Sequence, residues 1–132
     1  MARRQPQPQP PAPTGAELAI LRVLWDAGPA TVRQVHERLP AGRTVGYTTV
    51  LKLLQVMAGK KLVRRDERQR SHVYRAAAPA DATLGRLVRD LLDRAFGGSA
   101  RSLVMHVLDA KRASPEELRE IRALLDQMEE RP

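Results

Sequence analysis

One stretch of 29 residues constrains the fold of this 132-residue chain more than any other: YTTVLKLLQVMAGKKLVRRDERQRSHVYR, Tyr47 to Arg75. Its first half predicts a helix, because apolar residues recur at i, i+3, i+4 and i+7. These residues are Val50, Leu53, Leu54 and Met57, and Tyr47 extends the stripe one turn earlier. Its second half, LVRRDE and SHVYRA around RQR, predicts a short β-hairpin.

Two further helices precede this stretch. Thr14 with Glu17, and Thr31 with Gln34, have the spacing of a capping box, in which each side chain bonds the other residue's backbone amide. Gly28-Pro29 ends the first helix, and Pro40 with Gly42 ends the second. The order is therefore three helices followed by a hairpin.

The third helix has a second face that core packing does not explain. Thr48, Lys52 and Gln55 lie opposite its apolar stripe. The hairpin that follows is crowded with charge, since residues 60–75 hold seven Lys/Arg and two Asp/Glu. Like charges on a two-stranded ribbon repel, so we expect something outside the chain to compensate them.

The charge of +8 is unevenly distributed along the chain. Residues 1–79 hold fourteen Lys/Arg and five Asp/Glu, whereas residues 80–132 hold nine and ten. Solubility alone would not require this segregation, but binding to a polyanion would. A solvated basic face without a partner is the alternative.

These features predict a mainly α fold with a small antiparallel β-hairpin, the winged helix-turn-helix arrangement, in which the third helix enters the major groove of DNA. Thr48 and Thr49 would meet base edges, Lys52 a guanine or a phosphate, and the hairpin arginines the backbone. The predicted DNA-binding residues are Thr31, Arg43, Tyr47, Thr48, Thr49, Lys52, Arg64, Arg65, Arg68 and Arg70.

Several of these residues also have a purely structural interpretation. Thr48 or Thr49 could cap the third helix, and Lys52 could be a solvated charge. We assign Tyr74 and Trp25 to the core rather than to base stacking.

The C-terminal half contains three more predicted helices with apolar stripes. A complete winged helix leaves these helices little core within the chain to pack against. We therefore expect two copies of the chain to pair through them across a two-fold axis. The alternative is a monomer in which they fold back on the winged helix. The predicted dimerisation residues are Leu84, Leu87, Val88, Leu91, Leu92, Leu103, Val104, Val107, Leu108, Leu118, Ile121, Leu124 and Leu125.

We predict a Pro/Gln-rich disordered tail over residues 1–13, a DNA-binding domain over 14–78 and a helical dimerisation domain over 79–132. Cysteine is absent, and His36, His72 and His106 lie on separate elements, so no cofactor and no metal site is predicted. No glycine-rich phosphate loop or nucleophile motif is present, and we predict no enzyme. Without a membrane span or signal peptide, a cytoplasmic location is expected.

The same residues resemble a known family. TGAELAILRVLWDAGPATVRQVHERLP, the YTTVLKLLQVMAGKKLV helix and SHVYR, together with the C-terminal helices around a Gly-Gly break, look like the penicillinase-repressor family (BlaI/MecI/CopY). The resemblance covers nearly the whole chain after the proline-rich tail. It implies a homodimeric repressor that binds palindromic operator DNA and is released by a signal.

Two departures from the family concern the signal. Members released by a sensor protease are cut between Asn and Phe, where this chain has His106 and Val107, so a sensor protease as partner is unproven. The copper-responsive branch ends in paired cysteines, which this chain lacks.

Two rival functions use the same features. A non-specific architectural nucleic-acid-binding protein would need only the arginine-rich hairpin and tail. A protein-interaction module would bind an acidic partner through a degenerate winged helix. Neither requires the polar face of the third helix.

Overall fold

A computed structural model describes residues 11–40, 45–110 and 113–131. Six helices and three strands occur in these ranges, and the fold is mainly helical with a small sheet. In chain order they are α1 (Gly15–Ala27), β1 (Ala30–Thr31), α2 (Val32–Arg38), α3 (Tyr47–Gly59), β2 (Val63–Asp66), β3 (Val73–Ala76), α4 (Ala80–Ala95), α5 (Ala100–Ala110) and α6 (Pro115–Glu129). No helix in the described ranges is long and apolar enough to cross a membrane.

Both predicted capping boxes are present. The Thr14 hydroxyl accepts a bond from the Glu17 amide at 3.2 Å, and the Glu17 carboxylate accepts one from the Thr14 amide at 2.9 Å. Thr31 and Gln34 make the same reciprocal pair at the start of α2. Gly28 ends α1 with a φ of 83°, a conformation that favours glycine.

The predicted hairpin is part of a three-stranded antiparallel sheet with the order β1-β3-β2. β2 and β3 pair with Arg65 opposite Tyr74, and β1 adds Ala30 opposite Tyr74 on the other side. Sequence periodicity missed β1, because two residues are too few to show an alternation. This strand fixes the start of α2 against the hairpin.

Apolar side chains from α1, α2, α3 and the sheet form one core. Val35, Val50, Leu54 and Met57 are completely buried, and Tyr74 is 1% exposed, as the assignment of Tyr74 to the core requires. Trp25 packs against this core and donates its indole N–H to the Ala78 carbonyl at 3.0 Å. The buried apolar residues are Ile20, Leu21, Val23, Leu24, Ala30, Val32, Val35, Val50, Leu54, Met57, Leu62, Val63 and Tyr74.

The chain divides into two compact units, residues 1–87 and 88–132, and all of this core lies in the first. No described residue of α4, α5 or α6 is buried. Ser114 caps α6 through a hydroxyl that accepts the Glu117 amide at 3.1 Å, and Pro115 lies in the first turn. The apolar stripes of these helices are therefore formed, and their described residues stay partly or largely exposed.

Candidate nucleic-acid interface

The N-terminus of α3 presents three exposed side chains in its first turn: Tyr47, Thr48 and Thr49. The N-cap residue is Gly46, and no side chain caps the helix. The structural interpretation of Thr48 or Thr49 as the cap is therefore wrong. Both hydroxyls are available to an external partner at the helix end that enters the groove in helix-turn-helix proteins.

The two faces of α3 differ sharply in burial. Val50, Leu54 and Met57 are completely buried, whereas Lys52 and Gln55 are exposed. Within the described ranges, Lys52 has no hydrogen bond or ion pair, so it is a charge on the outer face that the fold does not use. A buried underside holds the helix rigidly, and the short threonine side chains allow close approach to another surface.

Tyr47 is supported from below by α2. It is 47% exposed, so it extends the apolar stripe without being buried in the core. Its ring meets the His36 imidazole edge-on at a centroid distance of 6.2 Å, and His36 Nε2 lies 2.9 Å from the Val45 carbonyl oxygen. Sequence reasoning missed this role of His36, because only the packing of α2 beside α3 brings the two rings together.

The hairpin places arginines on both of its faces. Arg64 lies directly opposite Arg75, and both are exposed. Arg65 lies opposite Tyr74. A hydrogen bond with the Tyr74 side chain and the nearby Glu67 carboxylate raise the pKa of Arg65. Arg65 also forms an ion pair with Glu67.

Part of the crowding of positive charge is relieved within the hairpin, contrary to the expectation from sequence. The guanidinium of Arg68 donates three hydrogen bonds to Asp66: Nη2 to Oδ2 at 2.8 Å, and Nε to Oδ1 at 3.0 Å and to Oδ2 at 3.2 Å. With the Arg68 backbone amide, this contact lowers the pKa of Asp66 to about 2. The two acids of the hairpin, Asp66 and Glu67, neutralise Arg68 and Arg65, while Arg64, Arg70 and Arg75 remain in excess.

Two more residues were predicted to bind DNA, Thr31 and Arg43. Thr31 is half-buried, and its hydroxyl accepts the Gln34 amide at 3.2 Å, so it begins α2 at the edge of the candidate surface. Arg43 lies outside the described residues.

The structure brings four of the predicted residues together in one groove. Thr31, Tyr47, Arg65 and Arg70 line a space of about 550 Å³ between α3, the start of α2 and the hairpin. Arg33 and His72 also line it, and sequence reasoning assigned neither. No local signal identifies them, because they are single polar residues that only the tertiary fold places beside α3.

The predicted dimerisation residues lie on α4, α5 and α6, and none of them is buried. Val107, Leu124 and Leu125 are 55%, 59% and 55% exposed. His106 and Val107 lie within α5, where His106 Nδ1 is 2.9 Å from the Ser102 carbonyl oxygen and the ring contacts Phe96 edge-on. No group of three or more His, Asp or Glu side chains that could hold a metal ion occurs in the described part of the chain.

The fold and this surface define a winged helix-turn-helix protein. The chain matches the family model described as "Penicillinase repressor" over residues 13–127. It is 36% identical over 115 residues to "Transcriptional regulator BlaI" of Mycobacterium tuberculosis, in strains CDC 1551 / Oshkosh and ATCC 25618 / H37Rv, covering 86% of this chain and 82% of the relative. The chain belongs to the penicillinase repressor family.

Two more distant proteins are also similar. "Penicillinase repressor" of Staphylococcus aureus is 18% identical over 111 residues, covering 84% of this chain and 88% of the relative. A solved structure described as "Mechanism for regulation of DNA binding of Bordetella bronchiseptica BpsR by 6-hydroxynicotinic acid" has a TM-score of 0.46 and 19% identity, covering 92% of this chain and 78% of that one. Family membership identifies a DNA-binding transcriptional repressor and confirms that the chain is not an enzyme.

Proposed function

We propose that this repressor is a sequence-specific homodimer that binds a palindromic operator in the cytoplasm, with α3 of each protomer in the major groove. The observation that carries the proposal is the asymmetry of α3: Val50, Leu54 and Met57 are completely buried, while Thr48, Thr49 and Lys52 are exposed. A rigid helix with a polar outer face suits the reading of base edges.

Each residue of the outer face has a role in this proposal. The Thr48 and Thr49 hydroxyls bond to a base or a phosphate, and a threonine methyl packs on thymine. Lys52, one turn further along, reaches a guanine or a phosphate. Arg64, Arg65, Arg68 and Arg70 of the hairpin contact the backbone. Thr31 lies beside the groove, and we propose Arg43 as a further DNA-binding residue.

The dimer is supported by the exposed apolar stripes of α4, α5 and α6. Val104, Val107 and Leu124 are each at least half exposed, and no described residue in these helices is buried. Apolar surface of this extent is normally covered in a stable protein. A second copy covers it through the same residues on both sides, which assigns residues 79–132 to dimerisation and 14–78 to DNA binding.

The test is selection of bound duplexes from a random pool, followed by sedimentation equilibrium of the free protein. We expect an inverted repeat whose half-sites are about 10 base pairs apart, because two recognition helices related by a two-fold axis lie about one helical turn apart. We also expect a dimer. Enrichment of no sequence would favour the non-specific architectural protein instead, and a monomer at the highest measurable concentration would contradict the dimer.

A further inference from the structure

The segment that joins the sheet to α4 is short and is bonded to two other parts of the fold. We call residues 77–79, between β3 and α4, the connector. The Ala77 amide donates to the Leu62 carbonyl, just before β2, at 3.0 Å. The Ala78 carbonyl accepts the indole N–H of Trp25, on α1, also at 3.0 Å. The connector is therefore held at two successive residues.

Trp25 is suited to hold the connector in place. It is the only tryptophan of the chain, and its ring packs against the core of the first unit. A tryptophan side chain has two rotatable bonds, so a packed ring also fixes the position of its N–H group. This N–H can only donate, and the Ala78 carbonyl, 53 positions further along the chain, is a matching acceptor. A residue that only filled the core would have no use for this hydrogen bond.

The first turns of α4 follow directly from the connector. The Ala82 amide donates to the Pro79 carbonyl at 3.2 Å, so the last connector residue also begins the helix. This part of α4 belongs to the first compact unit, which ends at residue 87. It contains Leu84 and Leu87, two of the predicted dimerisation residues. The course of the connector therefore sets the direction in which these two leucines extend from the sheet.

We propose that Trp25 is a positioning residue for operator binding: its hydrogen bond to Ala78 sets the direction of the first turns of α4, and with it the separation of the two α3 helices in the dimer. The proposal rests on the proposed function, because it requires two copies of the chain that pair through α4. Two reading helices bind two half-sites together only when the segment between them holds the matching span. Trp25 itself contacts no DNA and acts through this span.

The first test measures amide hydrogen exchange of the whole chain without DNA. Trp25→Phe keeps an aromatic ring in the core and removes the N–H donor. We expect the amides of Ala82 and Thr83, which both bond to the Pro79 carbonyl, to exchange roughly threefold to tenfold faster in this variant, the effect of one lost hydrogen bond. Thr14→Val is the matched control, because it removes one side-chain hydrogen bond at the start of the same helix, α1. Equal rates in the two variants would overturn the proposal.

The second test compares binding to the selected operator with binding to a version that has a single base pair inserted between its half-sites. The insertion turns one half-site by about 34° around the DNA axis relative to the other. We expect it to weaken wild-type binding by at least roughly tenfold and Trp25→Phe binding by less than about threefold, because a loosened span loses its match to a single spacing. Thr14→Val should show the wild-type ratio. The same ratio in Trp25→Phe as in the wild type would overturn the positioning role.

A duplex with a single half-site distinguishes positioning from base reading. The exposed residues of α3 are the same in Trp25→Phe as in the wild type, so we expect the two proteins to bind this duplex equally. Weaker binding by Trp25→Phe would show that the substitution damages the reading surface itself, and would overturn the proposal.

This inference and the proposed function can fail separately. Faster exchange in Trp25→Phe together with no enriched sequence in the selection would overturn both the sequence-specific repressor and the role of Trp25 in it, and would leave the connector contact as a feature of the fold. An enriched inverted repeat together with equal exchange rates in Trp25→Phe and Thr14→Val would overturn the role of Trp25 alone.

Discussion

Lys60, the residue that follows α3, is bonded to both carboxylate oxygens of Glu17 in the first turn of α1, at 3.1 and 3.0 Å. Glu17 is the one buried charged residue of the described chain, at 1% exposure. Its carboxylate also accepts the Thr14 amide at 2.9 Å. This ion pair joins the end of the proposed reading helix to the start of the chain's first helix.

The two partners of this ion pair should not be equivalent in their effect on stability. The Lys60 side chain is 31% exposed and that of Glu17 only 2%, so removing Lys60 leaves a charge in the interior, whereas removing Glu17 leaves one that reaches water. We expect Lys60→Met to lower the free energy of unfolding by about 2–3 kcal/mol and Glu17→Gln by about 1 kcal/mol. Urea unfolding at a fixed protein concentration measures both. The reverse order would contradict the assigned burial of Glu17.

The ion pair between Glu17 and Lys60 also predicts how the stability of the fold depends on pH. Burial raises the pKa of Glu17, but the Thr14 amide and the Lys60 ammonium outweigh it, and the pKa lies below its ordinary value of 4.5. A carboxyl group whose pKa is lower in the folded protein stabilises the fold at any pH above its ordinary pKa. This stabilisation is lost as the pH falls through the pKa of the folded state. Between about pH 5.5 and pH 3.5 the urea midpoint of Glu17→Gln should therefore fall less than that of the wild type. Parallel curves would show that Glu17 titrates normally.

The outer face of α3 should determine specificity. We expect Thr49→Ala and Lys52→Ala each to weaken binding to the selected operator by about 1–3 kcal/mol, with little effect of Thr49→Ala on mixed-sequence DNA. Both side chains are exposed, so the thermal midpoint should not change. Fluorescence anisotropy with the two duplexes checks this, with Arg22→Ala as the charge-matched control for Lys52. Equal losses on both duplexes would rule out base reading by these residues.

The hairpin arginines should contribute unequally to the salt dependence. Arg64 faces Arg75 across the strands, while Arg68 is held by Asp66. We expect Arg64→Ala to reduce the salt slope (log K against log salt concentration) by roughly one phosphate contact per protomer, and Arg68→Ala by less, because Asp66 already neutralises Arg68. Titrations from low to moderate salt measure both slopes. A larger change in Arg68→Ala would show that DNA displaces Asp66 from its arginine.

The stripe on α6 should hold the dimer together. Leu124 is 59% exposed, and a carboxylate there would be buried in the proposed interface. We expect Leu124→Glu to weaken dimerisation by at least roughly tenfold, or about 1.4 kcal/mol, and to weaken operator binding with it. Gln127→Glu adds the same charge to an exposed position of the same helix and is the matched control. Sedimentation equilibrium gives the dissociation constants, and similar values for the two variants would place the interface elsewhere.

Local patterns in the sequence were sufficient to predict the helices and the hairpin, but not β1. The capping boxes at Thr14 and Thr31 and the stop at Gly28 are interactions between residues a few positions apart, so their spacing identified the helix starts and ends correctly. The i, i+3, i+4, i+7 stripe of α3 likewise predicted which of its faces is buried. The family resemblance, confirmed over residues 13–127, rests on the same local signals.

Only the tertiary structure decided which polar side chains meet. The sequence predicts Glu17 only as half of a capping box. In the structure it is also the buried partner of Lys60, 43 positions further along the chain. The short strand β1 and the approach of Arg33 and His72 to α3 depend on how the sheet packs against the helices. A sequence records side-chain types and local spacing, whereas the charge of a groove depends on distances between residues far apart in the chain, and folding sets those distances.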